Sequence, residues 1–202
     1  MFALLLIASA LVAATNAAEA DPVKIGVYEE SFCPGCRYFA TRQLAPTYEE
    51  LRDIMDVYLS AYGMAQEWPD GEGYKFECQH GPEECDGNQI HDCVYKYVPD
   101  QDLQIAFFIC FMSQSAEVKT PWQDGEKCAG ELGLDWETIK TCASSLEGQI
   151  LHHEAGEEFR SFDPDPIGVP YITINGVTDY IAYVDLKRHV CNAYTGPETT
   201  SL

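Results

Sequence analysis

The sequence predicts an α/β fold carrying a helical insert and several structural disulfides. Three features of the 202-residue chain predict it. Residues 23–62 read as β-α-β. Two cysteines, Cys33 and Cys36, stand at the first strand-to-helix junction. Residues 171–190 read as a β-hairpin followed by a short helix, with a mostly helical stretch in between.

Each element has a local cause. Val23, Ile25 and Val27 alternate with other residues, the period of a half-buried strand. After Cys33-Pro34-Gly35-Cys36, the residues Ala40, Leu44, Tyr48, Leu51 and Met55 recur at helical spacing. Pro46 within that run removes the hydrogen bond to the Arg42 carbonyl and predicts a kink. Val57, Leu59 and Ala61 alternate again, so 56–62 is a second strand, parallel to the first through a right-handed crossover. Residues 63–98 contain several glycines and three cysteines and read as loop-rich. Residues 103–112 are apolar on all sides, which suits a buried helix, with a buried strand as the alternative. Asp135 is placed to cap a helix with Ile139, Cys142 and Leu146 on one face, and helical character continues over 149–159. Asn175-Gly176 offers the positive φ angles of a type I′ turn between strands at 171–174 and 177–180. Asp185 is placed to cap a last helix carrying Leu186 and Val190, and residues 196–202 read as a flexible tail.

A Cys-x-x-Cys pair at the first junction of this element order makes the predicted fold thioredoxin-like. Pro34 fits the first helical position, whose N–H has no partner in any case. The unpaired N–H groups and partial positive charge of a helix start stabilise a thiolate. Cys33 is therefore the expected nucleophile. Cys36, one turn further in and shielded, is expected to resolve the mixed disulfide. A free thiol with pKa about 8.5 is roughly 0.03% thiolate at pH 5, whereas a pKa of about 6 makes that roughly 10%. Gly168-Val169-Pro170 precedes the hairpin, where such a fold holds a cis-proline close to the cysteine pair. Val169 and Pro170 are the expected substrate-binding residues, because proline leaves neighbouring backbone groups free for an extended chain. A zinc site would want a second close cysteine pair. Cys78, Cys85, Cys93, Cys110, Cys128, Cys142 and Cys191 supply none and read as structural disulfide candidates with one left over. No metal and no organic cofactor are expected.

Acidic residues number 33 against 12 basic ones, a formal charge of −21. Such a chain is repelled by phosphate backbones and anionic lipid, which argues against nucleic-acid and membrane-surface partners. Residues 103–112 are about half the length of a membrane span. Nine cysteines point to an oxidising compartment. Residues 1–20 hold a short apolar block followed by small-x-small sites, the pattern of a secretory signal peptide. That leaves 21–195 as one domain.

Residues 78–93 contain Cys78, Gln79, His80, Gly81, Glu84, Cys85, Asn88 and Cys93 in the spacing CQHG-x2-EC-x2-N-x4-C. This segment resembles the signature of the gamma-interferon-inducible lysosomal thiol reductase (GILT) family. The upstream CxxC, residues 62–67 and the Val169–Gly176 run are similar to that family too, so the resemblance covers about 23–195. It implies an enzyme that reduces protein disulfides through Cys33 and Cys36 and works at acidic pH in endosomes or lysosomes or after secretion; a small thiol or another reductant is expected to regenerate the dithiol. Cys78, Cys85 and Cys93 then read as staples of a loop near the site. His80 reads as a hydrogen-bonded loop histidine or a proton shuttle, and His152 and His153 as surface residues of the insert. The sequence departs from the family in two respects: the middle residues of its CxxC are Pro34-Gly35, positions that vary in the family and affect the redox potential, so reductase and oxidase poise both stay open, and it lacks a glycan acceptor. Asn16, Asn88, Asn175 and Asn192 all lack Ser or Thr two residues on, so glycan-directed sorting has no acceptor. A secreted non-enzymatic binder on the same scaffold, and a secretory-pathway oxidase or isomerase, are the alternative functions.

Overall fold

The computed structural model describes residues 20–114 and 120–197. The expected signal peptide and the end of the expected tail lie outside the described residues. Strand β1 (Val23–Glu29) pairs in parallel with β2 (Met55–Ala61), with Val23 opposite Met55 and Glu29 opposite Ala61. Its other edge pairs antiparallel with β5 (Tyr171–Ile174), which pairs with β6 (Val177–Thr178). The order β2-β1-β5-β6 puts the first strand in the middle of the sheet. Asn175 and Gly176 have φ of 51° and 79°, so the expected turn forms. The second hairpin strand is two residues long rather than the four expected. Past Thr178 the chain turns away, and the Asp179 carboxylate accepts from the amides of Ile181 and Ala182.

The crossover comprises α1 (Pro34–Phe39), a π-helical turn at Ala40–Leu44, α2 (Ala45–Leu51) and a 3-10 turn at Arg52–Ile54. Pro46 cannot donate to the Arg42 carbonyl, and the chain absorbs this by widening the preceding turn, where the Ala45 amide bonds back to Ala40. Phe39, Leu44 and Leu51 are buried against Val23, Ile25, Val27, Val57 and Leu59 of the sheet.

The loop-rich reading of 63–98 is corrected. It contains a hairpin, β3 (Gln66–Asp70) with β4 (Gly73–Glu77), and a 16-residue helix, α3 (Pro82–Tyr97). The helix escaped the hydrophobic pattern because much of its buried face is polar: Glu84, Asn88, His91 and Asp92 are all interior. Burial of such groups is tolerable only with partners, and each has one, as shown below.

Helix α4 (Gln101–Met112) is the apolar run at 103–112, and its lack of a polar face has a simple cause. Ile105, Phe108 and Met112 pack into the sheet core, while Phe107 and Phe111 pack into a second core with Ile90, Val94, Ala129 and Ile139. A helix between two cores is apolar all round. Helices α5 (Pro121–Leu132), α6 (Trp136–Ala143) and α7 (Leu146–Arg160) complete the insert, and α8 (Leu186–Ala193) returns to the sheet. Asp135 caps α6 through the Thr138 amide at 3.2 Å, as expected. Asp185 stands at the start of α8 but makes no side-chain cap; its carboxylate takes Arg188 Nε at 2.5 Å instead.

Three disulfides form: Cys78–Cys85, Cys93–Cys142 and Cys110–Cys128. The second ties α3 to α6 and the third ties α4 to α5. Cys191 is the unpaired member of the seven candidates, which removes it from the structural disulfides. His152 is also corrected: it is fully buried, with Nδ1 2.9 Å from Asp92 Oδ2, rather than on the surface. His153 stacks on Tyr74 with ring centroids 3.9 Å apart.

Candidate active site

The end of β1 delivers Glu29, Glu30, Ser31 and Phe32 into the interior, and all four are buried. A turn closed by the Cys33 amide on the Glu30 carbonyl at 3.1 Å then brings Cys33 to the start of α1. Cys33 has extended backbone and occupies the capping position. Its Sγ accepts from the Cys36 amide at 3.4 Å, the role an N-cap side chain plays for an otherwise unpaired N–H. Cys36 is fully buried, whereas Cys33 keeps 8% of its surface exposed. Both are unpaired.

Hydrogen bonding to the Cys36 thiol lowers the Cys33 pKa most. Burial opposes it, and the Cys36 and Gly35 amides and the His80 charge add to it, for a net value of about 6. Cys36 moves the other way, pushed well above the ordinary thiol range by burial and then by the Cys33 sulfur. The two thiols thus separate into one ionised at neutral pH and one held protonated, a division of labour typical of exchange chemistry.

Pro170 follows a cis peptide bond from Val169. The Val169 carbonyl lies 3.7 Å from Cys33 Sγ. A β-carbon placed on Gly35 would stand 3.2 Å from Pro170 Cδ and 3.7 Å from Cys33 Sγ, so glycine lets the proline loop close over the cysteine pair. Gly35, Val169, Pro170, Tyr180 and Tyr183 line a groove of about 330 Å³ beside it. Exposed Ile167 (89%) and Tyr180 (62%) flank that groove and leave an apolar rim. The structure therefore brings together all four sequence-predicted site residues.

The residues of the 78–93 segment do more than staple a loop. Asn88 Oδ1 accepts from the Ser31 amide at 2.8 Å, and Ser31 Oγ donates to the Glu84 carbonyl at 3.1 Å. Gly81 has φ of 102°, a conformation that favours glycine, and Cys78–Cys85 pins the turn onto α3. His80 donates its amide to Glu84 Oε1 at 3.0 Å and sets Nδ1 2.6 Å from Oε2. His91, one turn beyond Asn88, faces Glu29 with Nδ1 2.7 Å from Oε1. The segment thus grips residues 29–31, the stretch that aims Cys33. Sequence reasoning missed Glu29 and Glu30, and it had Glu84 and Asn88 only as signature positions, without their role in gripping residues 29–31. The signal was present as polar residues at helical spacing, 84, 88 and 91, a pattern that a search for apolar periodicity passes over.

Among the described residues, the one cluster of carboxylate and imidazole groups with metal-like convergence is Glu30, His80 and Glu84.

The family model described as "Gamma interferon inducible lysosomal thiol reductase (GILT)" matches residues 24–132, which takes in the cysteine pair and the whole 78–93 segment. The chain belongs to the GILT family. It is 38% identical to the gamma-interferon-inducible lysosomal thiol reductase of Carassius auratus, over 88% of this chain and 70% of that protein. It is 31% identical to GILT-like protein 1 of Drosophila melanogaster, over 99% of this chain and 90% of the relative. Among solved structures, DsbA of Chlamydia trachomatis superposes with a TM-score of 0.62 at 14% identity, covering 85% of this chain and 84% of that one. BdbD of Bacillus subtilis gives 0.61 at 14% identity, covering 85% and 87%. These likenesses establish the thioredoxin-like fold with its helical insert. Family and fold together make this GILT chain a thiol-disulfide oxidoreductase. No helix among the described residues is long and apolar enough to cross a membrane.

Proposed function

We propose that this GILT-family chain reduces disulfides of protein substrates through a Cys33–Cys36 dithiol, in acidic endosomes or lysosomes or after secretion. The observation that carries the reading is the placement of Cys33 Sγ. It caps a helix start on the Cys36 amide, and the Val169 carbonyl and Pro170 stand beside it.

The Cys33 thiolate attacks one sulfur of a substrate disulfide. The other substrate sulfur leaves as a thiolate and takes a proton from solvent. Cys36 then loses its proton, attacks Cys33 Sγ and releases the second substrate sulfur. Two electrons and two protons pass to the substrate, and the enzyme is left with a Cys33–Cys36 disulfide that a small thiol reduces. Val169 and Pro170 present the backbone edge on which an extended substrate lies. A Cys33 pKa of about 6 keeps roughly a tenth of the nucleophile ionised at pH 5.

The test is a reductase assay on a disulfide-bonded protein from pH 4.5 to 7, with Cys33→Ser as control. Turnover well above that of free dithiol, lost in the variant, is the expected result. Turnover equal to free dithiol would favour a non-enzymatic binder. The stabilised thiolate also supports a second reading, since stabilising the reduced form makes a couple more oxidising. A measured potential near about −120 mV would make the chain an oxidase, and one at about −200 mV or below a reductase.

A further inference from the structure

We propose that Glu30, His80 and Glu84 form a binding site for one divalent transition-metal ion of the zinc type, separate from the redox cysteines. Their ligand atoms lie within 4.8 Å of one another. The proposal is independent of the reductase reading.

Three observations carry it. First, each carboxylate is aimed by a backbone amide that occupies only one of its oxygens. Glu30 Oε1 accepts from the Met64 amide at 2.7 Å, and Glu84 Oε1 accepts from the His80 amide at 3.0 Å. In both residues it is Oε2 that points to the common centre. Outer hydrogen bonds that orient first-layer ligands are the mark of a built metal site. The chain makes room for this arrangement, because Gly63 has φ of 60° and a β-carbon there would fall 2.3 Å from Glu30 Cγ.

Second, Glu30 is 1% exposed, and its Oε2 is buried with no hydrogen-bond partner. An orphaned carboxylate oxygen in the interior is costly unless a cation or a proton reaches it. Glu29 Oε2 is likewise buried without a hydrogen-bond partner, but Glu29 pairs with His91 and Asp92 with His152, one acid to each imidazole. Glu30 and Glu84 share the single imidazole of His80.

Third, the spacing suits an ion. His80 Nδ1 stands 3.5 Å from Glu30 Oε2, close to the edge of a tetrahedron with bonds of about 2.0–2.1 Å. The 2.6 Å approach of Nδ1 to Glu84 Oε2 is a hydrogen bond that opens by under about 1 Å when the lone pair turns to a metal. The His80 side chain is 31% exposed while both carboxylates are interior, which gives the ion a way in from solvent. Two oxygens and one imidazole nitrogen suit Zn²⁺ or Co²⁺, with water completing the coordination.

The experiment uses Zn²⁺ alone, titrated calorimetrically at pH 7.5 into protein with Cys33, Cys36 and Cys191 replaced by Ser and the three disulfides intact. This removes thiolate chelation. One equivalent should bind. Glu30→Gln and His80→Gln should each weaken binding at least tenfold while keeping the far-ultraviolet circular dichroism of the parent. Zn²⁺ should raise the melting temperature of the parent and leave that of His80→Gln unchanged. Co²⁺ should give weak visible bands without a thiolate charge-transfer band. Loss of Zn²⁺ binding on removal of the three thiols overturns the proposal, as does binding undiminished in both Gln variants.

Discussion

At the scale of single residues, the site turns on two sulfurs three positions apart with opposite environments. Cys33 gains the Cys36 amide and a little solvent, and Cys36 gains neither. The sign of the pH dependence follows. A thiol with a depressed pKa is reactive above that value and loses reactivity as pH falls through it. Alkylation of the reduced protein by iodoacetamide should therefore show a midpoint near 6 at Cys33, with Cys36 unlabelled across pH 5–8. A midpoint above about 8 would remove the electrostatic basis of the mechanism. Cys36→Ser should accumulate a mixed disulfide with substrate, visible as a mass adduct that dithiothreitol reverses. If Cys36→Ser instead turns over like the parent, Cys36 does not resolve the intermediate. The placement of the two cysteines, one at the helix start and one a turn inside, was legible in the sequence, because a proline-led helix start is a local signal. The Glu30, His80 and Glu84 convergence was not legible, since Glu30 lies 50 or more residues from the other two and meets them only through the fold.

At the scale of elements, α3 carries most of what the sequence concealed. Strands with alternating Val, Ile and Leu, and the Asn-Gly turn, announce themselves because their causes are local. Helix α4 is legible as apolar, and its place between two cores explains why no face is polar. Helix α3 is different. It spends its inner face on hydrogen bonds to residues 29–31 and to α7, so the usual apolar stripe is thin. This gives a prediction at the same scale. Asn88→Ala leaves the buried Ser31 amide without its acceptor and should cost about 1–3 kcal/mol in urea unfolding with disulfides intact. It should also slow Cys33 alkylation, because the residues that aim Cys33 lose their anchor. A loss under about 0.5 kcal/mol would mean that water takes over the bond.

At the scale of the whole molecule, a four-stranded sheet carries the proline edge and the cysteine pair, and a five-helix insert stands over them with its own core. Two disulfides cross-link that insert, and the 49-residue separation of Cys93 and Cys142 spans most of it. Loop-closure entropy puts the contribution of that bridge at about 4 kcal/mol. Replacing both cysteines by Ala should lower stability by a comparable amount in denaturant unfolding, while Cys191→Ser should leave the midpoint unchanged. Equal midpoints for the parent and the double variant would place the insert's stability in its helix packing alone. Interior placement of the cystines has a further result. Cys93 and Cys128 are wholly sequestered, Cys142 is 2% exposed, and Cys78 and Cys85 are 8% and 7% exposed, while Cys110, the partner of Cys128, is half-buried. On the proposed reading, a catalyst that severs sulfur–sulfur bonds and is recharged by small thiols would otherwise dismantle itself and its sister copies. Sheltering most of these sulfurs from attack would let the protein outlast the substrates it opens.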